Sequence, residues 1–225
     1  MTNLNLLKPF KVASSSSIRK EIIFNAGINC EFISSNVDEE KLKINNSHLS
    51  FSEIALKLAS AKALEISKKN EDIYILGVDQ ICQFQDEILS KPGNEENCKK
   101  TLKKLSGNTH FQNCGMAICY NSKIIWTSSD VAKLTMKDLS DKDIENYIKK
   151  DKPFKSCGAY KYELNGKDLF TEVKGSIFTI EQNLAGLGGT SNYLENKITY
   201  KKYMKLNNNF IAAIKTQFGS INGYN

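Results

Sequence analysis

Apolar positions along the chain come in short blocks whose spacing switches between the two-residue period of a strand and the three-to-four-residue period of a helix. Lys8 to Ala13 predicts a strand. Ser14-Ser15-Ser16-Ser17 follows as a hydroxyl-rich turn, with Ser16 or Ser17 placed to cap a helix running through Ala26 and stopping at Gly27, because glycine adopts the left-handed conformation of a helix end at little cost. Glu31 to Ser34 predicts a second short strand and Asn36 to His48 a polar loop. Ser50-Phe51-Ser52-Glu53 has the reciprocal spacing of a capping box, and Ile54 to Lys68 behind it, rich in Ala, Leu and Lys, predicts a helix that contains Lys62.

Asp72 to Val78 is a compact apolar run suited to a central strand buried on both faces. It delivers Asp79 and Gln80 at its C-terminal end, where open α/β sheets bind their ligands. Ile81 to Leu89 predicts a hairpin, Asn94 to Leu105 a helix with Glu95 and Glu96 at its positive end, and Ser106-Gly107-Asn108 a turn. Phe111 to Tyr120 and Lys123 to Thr135 alternate as paired strands about Asn121-Ser122. Ser140 to Lys150 predicts a capped helix with Ile144, Tyr147 and Ile148 on one face. Strands alternating with helices, with an antiparallel insertion, predict a mixed α/β fold. Beyond Leu187 the periodicity weakens, and only Phe210 to Ile214 predicts a short helix. The expected organisation is one domain over residues 1–185 and a basic Asn/Lys-rich tail over 186–225.

Composition sharpens this picture. The net charge of +6 would suit nucleic acid, but residues 186–225 hold five lysines against one glutamate and so carry four of those charges. The body therefore has no strong basic field, and a nucleic-acid partner is not expected. No apolar run approaches the roughly 20 residues of a membrane span, and the N-terminal residues lack the basic and apolar regions of a secretory signal, so the expected place is the cytoplasm, away from membranes. Six scattered cysteines without a C-x-x-C pair, and only two histidines, point to reduced and mostly buried thiols and not to zinc.

Arg19 is the only arginine among 31 basic residues, and it falls just after the serine turn. A guanidinium grips two phosphate oxygens at once, whereas lysine acts as a point charge. A strand, a serine turn and a helix N-terminus also converge backbone N–H groups on an anion. Asp79 and Lys91 sit at other predicted element edges, and Lys62 and Glu39 join them by type: a triphosphate needs several cations and a divalent metal needs carboxylate oxygens. Taken singly, each has an ordinary reading as a cap or a solvated charge.

Together, Ala13-Ser14-Ser15-Ser16-Ser17-Ile18-Arg19, Val37-Asp38-Glu39, Ala59-Ser60-Ala61-Lys62-Ala63, Gly77-Val78-Asp79-Gln80, Lys91-Pro92, Leu105-Ser106-Gly107 and Gly158-Ala159-Tyr160-Lys161 resemble the Maf family of nucleoside triphosphate pyrophosphatases. The order and spacing hold over about residues 10–180. The resemblance implies an α/β fold of the Maf/inosine-triphosphatase kind, a mixed twisted sheet with flanking helices and two lobes around a nucleotide cleft. It also implies hydrolysis of a nucleoside triphosphate to the monophosphate and pyrophosphate with Mg²⁺ or Mn²⁺, and it allows a homodimer. By the same resemblance Ser14, Ser16 and Arg19 form the phosphate loop, Glu39 and Asp79 bind metal, Lys62 and Lys91 hold the triphosphate, and Asp79 activates water.

Asp79-Gln80-Ile81 and Gly158-Ala159-Tyr160-Lys161-Tyr162-Glu163 resemble the subgroup that prefers 7-methyl-GTP, which implies that Gln80, Lys161 and Glu163 read the base. An amide and a carboxylate suit the donor-rich edge of guanine, and a carboxylate also suits the positive charge of a methylated one. The same reaction on dTTP and UTP stands as the alternative, as does a nucleotide-binding regulator of cell division without turnover.

Overall fold

The computed structural model describes residues 10–25 and 29–174, together with the backbone of 175–185, 193–205 and 211–223. It begins β1 (Phe10–Ala13), α1 (Ser17–Asn25), β2 (Glu31–Ile33), α2 (Glu39–Asn45), α3 (Phe51–Ser67), β3 (Tyr74–Phe84) and β4 (Glu87–Leu89). It continues α4 (Glu95–Leu105), β5 (Thr109–Tyr120), β6 (Lys123–Met136), α5 (Asp141–Asp151), β7 (Phe170–Ala185), β8 (Tyr193–Lys205) and β9 (Ile211–Gly223). Two 3-10 turns, Cys157–Ala159 and Asn165–Leu169, lie between α5 and β7.

The strands form one mixed sheet in the order β2-β1-β3-β5-β6-β7-β8-β9, with β4 paired to β3. β1 runs parallel to β2 and β3, and the remaining pairings are antiparallel. This is the mixed α/β architecture with flanking helices that the sequence predicts.

Why α3 lies where it does is legible in its small residues. Both halves of the Ser50–Glu53 capping box are made, so the helix starts where the spacing requires. Ala55, Ala59 and Ala63 share its buried face and meet glycines on the sheet. A Cβ placed on Gly77 would lie 2.0 Å from the Ala59 carbonyl oxygen, and one on Gly115 would lie 2.4 Å from the Leu56 nitrogen. The helix backbone therefore rests directly on β3 and β5. Around it Ile54, Leu58 and Ile81 form one apolar cluster, and Ala13, Ile66, Ile75, Ala117 and Cys119 another. On the far half of the sheet, Leu102 and Leu105 of α4 and Ile144, Tyr147 and Ile148 of α5 pack with Cys82, Met136, Tyr160 and Phe170 into a larger cluster. β3, β5 and β6 run through both halves.

Three segments depart from the sequence reading. The expected loop over 36–48 contains α2, which Asp38 caps by accepting a hydrogen bond from the Lys41 backbone N–H, with Glu39 and Glu40 at the positive end. A seven-residue helix is too short to display a period, so the cap was its one signal. The central strand does not end at Val78. It carries Asp79 and Gln80 in its interior and continues to Phe84, because β5 pairs with it from Ile75↔Cys119 to Gln83↔Phe111. Only the parallel partner β1 stops, at Ala13↔Gly77.

The helix predicted from Phe210 to Ile214 is replaced by strand β9, paired with β8 from Lys205↔Ile211 to Tyr193↔Gly223. Thr199, Tyr200, Ile211, Ile214, Thr216 and Phe218 belong to the β-branched and aromatic types that suit strands, and a partner strand outweighs weak local helix preference. The expected ends at Lys8, Gly27 and Phe210 lie outside the described residues.

Candidate functional site

β1 leaves β3 at Gly77 and β4 joins it only at Cys82. Among the described residues, Val78 to Ile81 therefore lack a partner on that edge of the sheet, and this notch is where the candidate side chains gather. Strand alternation sends Asp79 to the α3 face and Gln80 to the other.

Lys62 leaves the buried face of α3, and its Nζ lies 2.5 Å from Asp79 Oδ1 and 2.7 Å from Glu39 Oε1. Long helical side chains lean toward the helix N-terminus. Lys62, one turn beyond Ala59 at Gly77, thus reaches back to Asp79, which pairs with Gly115 beneath Ala55. Lys62 and Asp79 are both buried, whereas the Glu39 side chain is 38% exposed. Partial burial opposes the charge on Glu39, but the hydrogen bond and charge of Lys62, helped by Lys91 and Lys43, hold its carboxyl below the ordinary value of 4.5.

The serine turn forms as expected. Arg19 donates from its guanidinium to Ser14 Oγ at 3.0 Å, and the Ser16 backbone N–H donates to the same oxygen at 3.2 Å. α1 begins at Ser17, so its first N–H groups face this turn. Lys91 is exposed in the loop after β4. That loop is pinned where the Gly93 N–H donates to the Phe154 carbonyl and Asn97 Nδ2 donates to the Pro92 carbonyl. Burial pushes the Cys157 thiol up, and the charges that act on it are those of Lys91, Asp79, Lys43 and Arg19. Lys43 and Cys157 carried no signal in the sequence beyond residue type.

On the opposite face, Gln80 is exposed and donates from Nε2 to Gln112 Oε1 at 2.8 Å. Lys161 donates from Nζ to the Asp151 carbonyl at the end of α5, and Glu163 is exposed. Tyr160 is buried with its hydroxyl bonded to Gln112 and His110, so its ring packs in the core. Tyr162 is exposed, and its ring lies 5.9 Å from that of Phe170.

All six cysteines are free thiols, with Cys82, Cys98 and Cys119 buried. No helix among the described residues is long and apolar enough to cross a membrane. Nor do three or more His, Cys, Asp or Glu side chains gather to enclose an ion among them. Glu39 and Asp79 nevertheless both reach the Lys62 ammonium, and a magnesium ion is commonly held by one or two carboxylates with substrate phosphates completing its shell.

A hydroxyl-lined turn at a helix start, next to two carboxylates bridged by a buried ammonium, at a notch in a mixed sheet, is an arrangement of an α/β protein suited to phosphate groups. The Maf-like protein family profile matches residues 9–187, and the chain belongs to the Maf family. Among relatives, a nucleoside triphosphate pyrophosphatase from Legionella pneumophila is 39% identical over 173 residues, 77% of this chain and 86% of that protein. A 7-methyl-GTP pyrophosphatase from Mesorhizobium japonicum is 35% identical over 173 residues, 75% of this chain and 87% of that protein. A nucleoside triphosphate pyrophosphatase from Pelagibacter ubique is 33% identical over 179 residues, 78% of this chain and 92% of that protein.

Proposed function

We propose that this chain hydrolyses a nucleoside triphosphate to the monophosphate and pyrophosphate. The observation that carries the reading is the buried bridge of Lys62 between Glu39 and Asp79 beside the Ser14–Arg19 turn. The turn and Arg19 receive the outer phosphates, and Lys91 approaches from the facing loop. The oxygen of a water attacks the α-phosphorus, the bond from that phosphorus to the bridging oxygen breaks, and pyrophosphate leaves. Asp79 accepts the proton from the attacking water. Lys62 fixes that carboxylate in direction and offsets charge at the phosphates, so catalysis rests on positioning and electrostatics. Glu39 and Asp79 would hold a Mg²⁺ or Mn²⁺ ion, which when bound neutralises phosphate charge.

Within this reading 7-methyl-GTP is the preferred substrate, with Gln80, Lys161 and Glu163 on the base side, and dTTP or UTP is the alternative. The exposed amide of Gln80 at the notch and the name of the Mesorhizobium relative support it. Residues 1–185 form the catalytic domain and 186–225 an appendage, a division that the family match over 9–187 supports. Clearing of modified nucleotides in the cytoplasm, by a homodimer, accords with it.

The deciding experiment is pyrophosphate release from 7-methyl-GTP, GTP, dTTP and UTP, with and without Mg²⁺. Fastest turnover of 7-methyl-GTP is expected. A ranking led by dTTP refutes the base preference, and no release from any of them leaves only a binding role.

A further inference from the structure

α2 sets one side of its short length against the body of the protein. Glu39, Leu42 and Lys43 fall at i, i+3 and i+4, the spacing that shares a helix face. Glu39 reaches Lys62, and Leu42 packs against the cluster of Ile54, Leu58 and Ile81, whose Ile81 is the last residue of the notch. Ile44, off that face, is 71% exposed. Lys43 therefore stands one turn beyond Glu39 on the side of α2 that meets the candidate site.

Its surroundings differ from those of an ordinary surface lysine. Lys43 Nζ donates to Glu40 Oε1 at 2.7 Å, and its side chain is 18% exposed although that of Glu40 is 72% exposed. Lys100 and Lys103 of α4, in ion pairs of the same 2.7 Å length, are 70% and 54% exposed. Partial burial opposes the charge on Lys43, but the hydrogen bond and charge of Glu40, helped by Glu39 and Asp79, hold the ammonium above its ordinary value of 10.5. Lys43 thus feels both site carboxylates while its hydrogen bond goes to Glu40.

That hydrogen bond is readily exchanged. An ion pair with one partner in solvent contributes little, whereas an ammonium on a phosphate makes a charge-assisted bond to a multiply charged acceptor. Lys62 cannot make the same exchange without leaving two carboxylates unpaired.

We propose that Lys43 is a further phosphate-binding residue of the site, held by Glu40 in the free protein and moved onto the phosphates when nucleotide or pyrophosphate binds. The proposal rests on the pyrophosphatase reading, which brings the phosphates to this notch. The ordinary alternative is that the Glu40–Lys43 pair only steadies α2, with Lys43 favourably placed in the last turn. The two accounts differ in sign. As a helix support both residues act together, whereas in binding Glu40 competes with phosphate for Lys43.

The test measures binding of inorganic pyrophosphate by titration calorimetry with Mg²⁺ present, and kcat and KM for 7-methyl-GTP and GTP. It compares the unmodified protein, Lys43→Gln, Glu40→Gln and the double variant, with melting temperature as the check on α2. Lys43→Gln is expected to weaken pyrophosphate binding and raise KM about tenfold. Glu40→Gln should tighten binding about threefold, and the double variant should match Lys43→Gln, because Glu40 acts only through Lys43. Four results overturn the proposal and leave the pyrophosphatase reading to be decided by turnover: no pyrophosphate binding by the unmodified protein, binding unchanged in Lys43→Gln, binding not tightened in Glu40→Gln, or an equal gain from Glu40→Gln with and without Lys43. No release from any nucleotide overturns that reading, and the calorimetry then decides separately whether Lys43 binds phosphate.

Discussion

The Lys62 ammonium sits 2.5 Å from Asp79 Oδ1 in a buried pair, and the same nitrogen reaches Glu39 Oε1 at 2.7 Å. One cation thus serves two carboxylates, and its removal does more than delete a charge. It leaves a buried carboxylate facing another at short range, which is the costly half of any buried ion pair. Lys62→Met is expected to lower kcat/KM roughly 100-fold or more. Near-normal turnover in that variant would remove Lys62 from the site.

The same bridge sets an acid limb for stability. Glu39 is held below 4.5 in the folded protein, so its contribution is complete above that value and fades as pH falls through the lower folded value. In Lys62→Met the main cause of that depression is removed, and the part of the acid-side stability loss that Glu39 supplies should shrink. Melting curves from pH 3 to 7 for the two proteins measure the difference.

His110 contributes with the opposite preference. Its folded value of about 4 lies below the ordinary 6.5, so the unfolded chain binds the proton first. Stability from this group is full above 6.5 and falls between about 6.5 and 4, by about 3 kcal/mol at most. Replacing it in His110→Phe should flatten melting temperature over that window. An unchanged slope would show that His110 is free to protonate in the folded state.

Arg19→Lys keeps the charge and loses the two-pronged grip. A tenfold to hundredfold fall in kcat/KM, on the order of 1.4–2.8 kcal/mol, is expected if the guanidinium holds phosphate. A solvated arginine predicts no change, and steady-state kinetics distinguishes the two.

Gly77→Ala tests how the site is assembled. Its new Cβ would lie 2.0 Å from the Ala59 carbonyl, so α3 must lift or the strand must bend. Overpacking of this kind costs about 3 kcal/mol or more, which at this chain length lowers the melting temperature by about 6–12 °C. Activity at temperatures where the variant remains folded should fall as well, since Lys62 moves with its helix.

Much of the architecture was readable where local signals agree. The Ser50 and Ser140 caps fix two helix starts, and alternation around Asn121-Ser122 fixes the β5–β6 hairpin, where both turn residues take positive φ. Apolar character stops at Val78, which predicts a strand end at Asp79. The strand continues because β5 supplies hydrogen bonds that side-chain pattern does not encode. Within the site, residue type points to Glu39 and Lys62, a predicted strand end points to Asp79, the resemblance gives all three a role, and tertiary structure brings them together. The row from Gln80 to His110 was invisible in the sequence. It depends on β5 lying beside β3 and on Tyr160 returning from the far side of α5.

The notch at Val78 to Ile81 has a mechanical consequence. β3, β5 and β6 pass without a break beneath both halves of the molecule, so the notch is cut into one continuous plate. In the proposed reaction the groups that meet the nucleotide would then come from the rim, at the serine turn, the segment before α2 and the Lys91 loop.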